Sequence, residues 1–468
     1  MALPRLKVSA NGHFLVTEHA APFFYLADTA WDLFHRLTRE EAQRYLSARA
    51  AQRFTVVQAV ALGEHDGLRQ PNAYGHLPFG ADARGLIDSR QPDTRPGDAD
   101  DYWDHVDYVV AAAERHGLYL ALLPTWGDKV CKLWGIGPDI FDPYYQRQGL
   151  AEATARAHDY GHFLGQRYAE RSNVIWMLGG DRPADGDEEI WRAMAQGIAT
   201  GVAGAEGDRA LLMTYHPYGA QASSALLHHE AWLDFNTVQS GHHARDISNY
   251  ELITNDYHKQ PARPTLDSEA RYEDHPVNWD IANGRFDDFD VRQAAYWAVF
   301  AGAAGHTYGH YSVFQYYGPA SPPTPFGNAS VYWEEALLAP GAQDMAHLRA
   351  LLESRPYLTR LPDQALIAAG QGRGADHMRA TRAEDGSYAL IYSATGAPIT
   401  VNMPLLSGQT ATAWWYDPRS GAATRIGTAP TTGTQTFTPP SSGRGNDWVL
   451  ALDDDAHGFP PPGSAVWP

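Results

Sequence analysis

Along the first three quarters of the chain, short apolar runs alternate with stretches whose apolar residues recur every three or four positions. The runs read as buried strands and the periodic stretches as amphipathic helices. After a hairpin centred on Asn11-Gly12, residues 22–28 (PFFYLAD) form the first run, ending in Asp28. Residues 37–53 then open on Thr38 with Glu41 three positions later, a capping box at the head of a helix. The same pairing repeats. Strands are expected at 54–62, 118–127, 173–181, 210–217, 233–243, 263–269 and 306–313. Helices are expected at 100–117, 150–172, 187–202, 223–232, 246–259 and 289–305, the last apolar nearly all round, with one or two more over 333–355. Eight strand-then-helix units make a (β/α)8 TIM barrel, an α/β fold, the economical reading.

From Tyr357 the period shortens to two. Residues 364–370, 377–394, 399–406, 410–427 and 447–452 are short alternating segments separated by turns such as Glu384-Asp385-Gly386 and Asp417-Pro418-Arg419. These predict a small antiparallel β-sandwich with an irregular, proline-rich tail. The domains are therefore expected to be 1–356, the barrel with its N-terminal hairpin, and 357–468.

Charge and composition narrow the partners. A formal net charge of −19 disfavours nucleic acid and anionic membranes, both of which need a basic face. The 14 Trp and 25 Tyr suit a neutral ring-shaped ligand such as a sugar, and equally suit a packed core. Cys131 is the only cysteine, so neither an intrachain disulfide nor a cysteine metal site can form. The chain as given has no run of 18 apolar residues and no apolar segment near its start. The expectation is a cytoplasmic location, or a secreted or periplasmic one if a leader has been removed. Nothing in the sequence bears on oligomeric state.

The candidate chemistry follows from the barrel rule that function sits at the C-terminal ends of the strands. In 173–183 (NVIWMLGGDRP) a buried strand delivers Asp181 through Gly179-Gly180. Taken alone, Asp181 is as well read as a turn or cap residue as a group aimed into a pocket. Placed at the end of strand four, however, it faces Glu269 at the end of strand seven. Two carboxylates across a pocket are what glycoside hydrolysis requires: one protonated to serve the leaving oxygen, the other ionised to attack carbon or activate water. Trp31, Trp126, Tyr215, His216, His242 and Tyr272 fall on or just after strand ends and are candidate sugar contacts, although each by itself reads as packing. Asp28 is either a helix cap or a hydroxyl acceptor. Asp267, two residues before Glu269, would share its face on a regular strand and could tune it. Glu273 reads as a partner of Arg271 or of an exposed neighbour, and His228 and His229 as solvated helix surface. No metal is expected, since His242 and His243 lack further ligands at suitable spacing. No cofactor is expected, and neither a phosphate-binding glycine loop nor a Gly-x-Ser-x-Gly elbow is present.

Residues 25–62, PNAYGHLPF (71–79), WMLGGDRP (176–183) and PTLDSEARYEDHP (264–276) together resemble the barrel of glycoside hydrolase family 140, which includes apiosidases acting on plant pectin. The region after Tyr357 resembles the β-sandwich that accompanies this barrel and carries a collagen-binding label. The resemblance implies a retaining glycosidase with Asp181 as acid/base and Glu269 as nucleophile, acting on an oligosaccharide or glycoside of a furanose-type or branched plant sugar. It also resembles the wider clan of retaining barrels, which carry Asn-Glu where this chain has Gly180-Asp181. The competing readings are a non-catalytic carbohydrate-binding barrel, which would need no carboxylate pair, and a matrix-binding protein, which the acidic charge disfavours.

Overall fold

The structure is a computed structural model that describes residues 2–95, 100–131, 133–204, 211–319 and 326–464. Eight parallel strands form the central sheet: β1 (Tyr25–Thr29), β2 (Val56–Val60), β3 (Tyr119–Leu123), β4 (Val174–Gly179), β5 (Met213–His216), β6 (Asn236–Gln239), β7 (Thr265–Glu269) and β8 (Gly305–Tyr308). Their hydrogen-bonded order is β5-β4-β3-β2-β1-β8-β7-β6, with Gln221–Ala222 added antiparallel to β6 as a ninth strand. Bonds between β5 and the start of β6 close the curl: Asp234 N–H to Met213 C=O at 2.8 Å and Thr214 Oγ1 to Phe235 C=O at 2.6 Å.

Helices α1 (Arg39–Ala51), α2 (Tyr102–Arg115), α3 (Leu150–Arg167), α4 (Glu188–Ala203), α5 (Ser224–Leu227), α6 (Asn249–Tyr257), α7 (Asp288–Phe300) and α8 (Pro340–Glu353) complete the eight units. The Thr38/Glu41 capping box is formed at α1. Residues 333–355 hold two helices, α8 and the single turn Trp333–Ala336. The apolar run at 22–28 divides: Pro22–Phe23 pairs with the N-terminal hairpin, and the barrel strand starts at Tyr25. A hairpin of Phe79–Ala81 with Ile87–Pro92 was not legible in the pattern, because its second strand is largely polar. Ala210 and the last four residues of the tail lie outside the described residues.

Strand alternation sorts the core into two layers. Tyr25, Ala27, Val56, Tyr119, Ala121, Ile175 and Met177 fill the barrel interior. Leu26, Val57, Leu120, Trp176 and Tyr215 pack outward against the helices.

The C-terminal unit is a six-stranded antiparallel sheet facing a three-stranded one. Between them lies a separate core that includes Ile367, Met378, Ile391, Val401, Leu450 and Phe437. The outer face of the larger sheet covers α7, every residue of which from Phe289 to Phe300 is buried. Tyr296 stacks on Tyr392 (4.8 Å, 14°), Trp297 Nε1 donates to His377 C=O at 2.9 Å, and Arg292 holds Asp447 through two bonds of 2.9 and 2.8 Å. A helix that is apolar all round needs cover on every side, and here the second unit supplies the outer side. Among the described residues no helix is long and apolar enough to cross a membrane.

Candidate active site

β4 ends in an uncommon turn. Gly179, Gly180 and Asp181 all have positive φ, at 86°, 121° and 56°. A side chain on Gly179 would run into the His216 carbonyl oxygen, and one on Gly180 would lie 2.8 Å from the Gly127 nitrogen and 2.9 Å from the Trp126 ring. Only glycine fits both places. The turn is fixed by Gly180 N–H to His216 C=O and Gly127 N–H to Gly180 C=O, both 3.0 Å. It presents Asp181 to a pocket of about 500 Å³, open mouth included, whose walls include Trp31, Trp126, Glu269, His242 and Tyr272.

Glu269 reaches the same pocket by breaking alternation. Val238 pairs with Asp267, but Gln239 pairs with Glu269, so Ser268 is an extra residue, a β-bulge. Asp267 therefore faces out, where Ser240 Oγ (2.7 Å) and Asn249 Nδ2 (3.0 Å) donate to it, and it does not touch Glu269. Beyond the bulge Glu269 is turned inward. His242 Nε2 lies 2.9 Å from its Oε1 and His216 Nε2 lies 3.1 Å from its Oε2. Ser268 Oγ, which donates to the Val238 carbonyl at 3.1 Å, is 3.0 Å from His216 Nδ1 and steadies the ring from behind.

The two carboxyls are pushed in opposite directions. Burial raises the pKa of Asp181 well above the usual carboxylate range, and the charges of Glu269 and Glu64 add to the rise, against an opposing hydrogen bond from Gln239. Burial also acts to raise Glu269, but hydrogen bonding and charge interaction with His216 and His242 together outweigh it and hold that carboxyl well below the usual range. The surroundings thus favour the protonated form of one group and the ionised form of its neighbour, the separation an acid and a nucleophile or base require.

Of the residues singled out in the sequence, Trp31, Trp126, His242, Tyr272, Asp181 and Glu269 line the pocket, and His216 lies beneath it. The Trp31 ring stands 5.1 Å from that of Trp126 and 5.2 Å from that of His216. Two candidates are elsewhere. Asp28 shares the outward parity of Leu26 and is fully buried, with Arg49 Nε at 2.7 Å and Tyr45 Oη at 2.6 Å. Tyr215 is also outward, one residue before the inward His216. It packs edge-on to Trp191 and donates to Arg182 C=O at 3.0 Å, bracing the Asp181 turn from behind. Two bland readings change as well. Glu273 is buried and accepts from Tyr308 Oη (2.6 Å) and Gly341 N–H (3.1 Å), and burial pushes it to about 7. His228 is buried between Asn236 and the Pro261 carbonyl, whereas His229 is exposed.

The sequence reading missed several wall residues. Glu64 accepts from Arg182 Nη2 at 2.9 Å and puts a third carboxylate into the pocket. Trp279, Phe314 and Phe326 complete the apolar side. Glu64 lies four residues past the end of β2, so the barrel rule that found Asp181 could have flagged it. Phe326 comes from a long loop with no such signal. Among the described residues no three His, Cys, Asp or Glu are grouped to hold a metal ion.

The barrel and its carboxylate pocket define a glycoside hydrolase. Residues 9–359 match the family described as "Apiosidase-like, catalytic domain", and 361–453 match the "Putative collagen-binding domain of a collagenase". The chain belongs to the apiosidase-like family. Two solved structures are each 32% identical, with a TM-score of 0.84 over 97% of this chain: one titled a glycoside hydrolase, covered over 97% of its length, and a family 5 glycoside hydrolase from Bacteroides vulgatus, covered over 93%. Among curated proteins none matches.

Proposed function

We propose that this pocket hydrolyses the glycosidic bond of an apiose-like furanose, or a related branched plant cell-wall sugar, with retention of configuration, as in glycoside hydrolase family 140. The observation that carries the reading is the placement of Asp181 and Glu269 in the walls of one pocket, in surroundings that push the two carboxyls in opposite directions. In the first step the Glu269 carboxylate attacks the anomeric carbon. The bond from that carbon to the leaving oxygen breaks, and the Asp181 carboxyl gives its proton to that oxygen. In the second step Asp181, now ionised, takes a proton from water while the water oxygen attacks the same carbon. The sugar–Glu269 ester opens, and both carboxyls return to their starting states. Trp31 and Trp126 offer ring faces to the sugar, and His216, His242 and Tyr272 surround the carboxylate that receives it. We assign this chemistry to residues 1–356 and give the region from Tyr357 a supporting role.

The test is a panel of aryl furanosides, aryl pyranosides and pectic oligosaccharides, with Glu269→Gln as control and NMR following the first-formed anomer. Release from a furanoside with the configuration kept, abolished in Glu269→Gln, is expected. No release from any member of the panel, or full turnover by the variant, would refute the reading. A first product of inverted configuration would make Glu269 a base.

A further inference from the structure

Beside the pocket, two large aromatic rings are left in solvent where a folded chain would ordinarily tuck them away. Trp134, on the loop after β3, is 40% exposed, and Tyr218, on the loop after β5, is 37% exposed. Their centroids are 5.3 Å apart at a tilt of 55°. They flank the β4 loop, which carries Asp181. Trp134 is also tied to that loop: the Arg182 guanidinium lies 3.9 Å from its ring centroid, and Arg182 Nη2 donates to its carbonyl at 2.9 Å. Arg182 is itself fully buried and bonded to Glu64 in the pocket wall. One face of Trp134 is therefore held by a buried cation while the ring remains open to solvent.

Chain segments next to these rings line an open groove of about 1370 Å³, its open side included. Its near wall is made by the neighbours of the three loop residues just described: Leu133, Pro183 and Ala220. Further out it takes in the exposed Leu226, with Asp185, Asn255, Asp256 and Lys259. Apolar faces with scattered hydrogen-bonding groups match a carbohydrate chain, whose rings present C–H faces and hydroxyl edges.

Position decides which part of the substrate this surface meets. An acid that protonates the leaving oxygen must sit beside that oxygen, so whatever lies on the outer side of the Asp181 loop meets the leaving group and not the sugar being attacked. We infer that Trp134 and Tyr218 form a stacking shelf for the leaving-group portion of the substrate, an oligosaccharide that continues into the adjoining groove. The inference rests on the glycosidase reading and adds to it that the enzyme acts on bonds with a saccharide on the leaving side.

The experiment compares kcat/KM for two probes sharing one glycone: apiofuranosyl fluoride, whose one-atom leaving group cannot reach the shelf, and an apiose-bearing pectic oligosaccharide. Trp134→Ala and Tyr218→Ala are each expected to lower the ratio of oligosaccharide to fluoride hydrolysis about 10- to 100-fold, as loss of an aromatic anchor does at other interfaces. Trp134→Phe, which keeps a ring, should recover most of the ratio and shows that the loop still folds. A ratio unchanged in both alanine variants, whether because both rates fall together or neither falls, would overturn the shelf while leaving the glycosidase reading intact. Wild-type protein that cleaves neither probe would instead overturn the reading on which it rests.

Discussion

His242 gives the sharpest test of how Glu269 is kept ionised. Its Nε2 lies 2.9 Å from one carboxylate oxygen, and the other oxygen has His216 at 3.1 Å. Replacing His242 with Phe removes one of these donors but preserves a ring to stack on His275, now 4.3 Å away at 22°. A hydrogen bond to a charged group contributes about 1.5–3 kcal/mol, and one pKa unit corresponds to about 1.4 kcal/mol. The Glu269 pKa should therefore rise by about 1–2 units. The reaction needs the carboxylate form, which exists above that pKa. As the pKa moves up, activity is lost at a higher pH than before. The assay is kcat/KM against pH, which reports the free enzyme. In His242→Phe the acidic limb should move up by about 1–2 pH units, while His242→Gln, which keeps a donor, should leave it nearer the wild-type position. An acidic limb that stays in place in the Phe variant, in an enzyme still dependent on Glu269, would refute the account of the lowered pKa.

Three further outcomes follow from the same geometry. Asp181→Asn should lose about 10²–10⁴-fold in kcat on an oligosaccharide, whose leaving oxygen needs a proton. It should lose far less in the first step with a glycosyl fluoride, as a fluoride-release burst would show. Glu64→Gln removes a negative charge that helps raise the Asp181 pKa; since the protonated acid is the active form, the basic limb of the pH profile should move to lower pH. Arg292→Met leaves Asp447 and Asp344, 2.8 and 2.6 Å from its guanidinium, without their buried partner. It should cost about 3–5 kcal/mol of stability, read from the denaturant midpoint.

The fold was legible because β/α alternation writes itself into the apolar period, and because Thr38 and Glu41 mark a helix start by local bonding alone. Asp181 was legible because the end of β4 could be located. The misses have separate physical causes: strand parity for Asp28 and Tyr215, pairing between strands for Asp267, and contacts between loops for Glu64 and Trp134. Asp28 lies near the same strand ends but shares the outward parity of Leu26, and Tyr215 is displaced from the pocket by a single step relative to His216. Asp267 and Glu269 should share a face by counting, yet the bulge at Ser268, a feature of pairing between strands, separates them. Glu64 was within reach of the barrel rule, but its tie to the Asp181 loop and that of Trp134 run through Arg182, contacts spanning 118 and 48 residues.

The burial of α7 bears on how such a protein can be inherited. The helix joins β7, which ends in Glu269, to β8, and its outer side is finished only by the sheet that begins after Tyr357. A gene cut between the two units would yield a barrel with a greasy flank next to the strand of its reactive carboxylate, and a sheet with no surface to rest on. The second unit is thus poorly suited to being shuffled as a cassette or lost by truncation, and ancestry should carry the pair together. The two relatives at 32% identity, which align over 97% and 93% of their own lengths, have travelled that way.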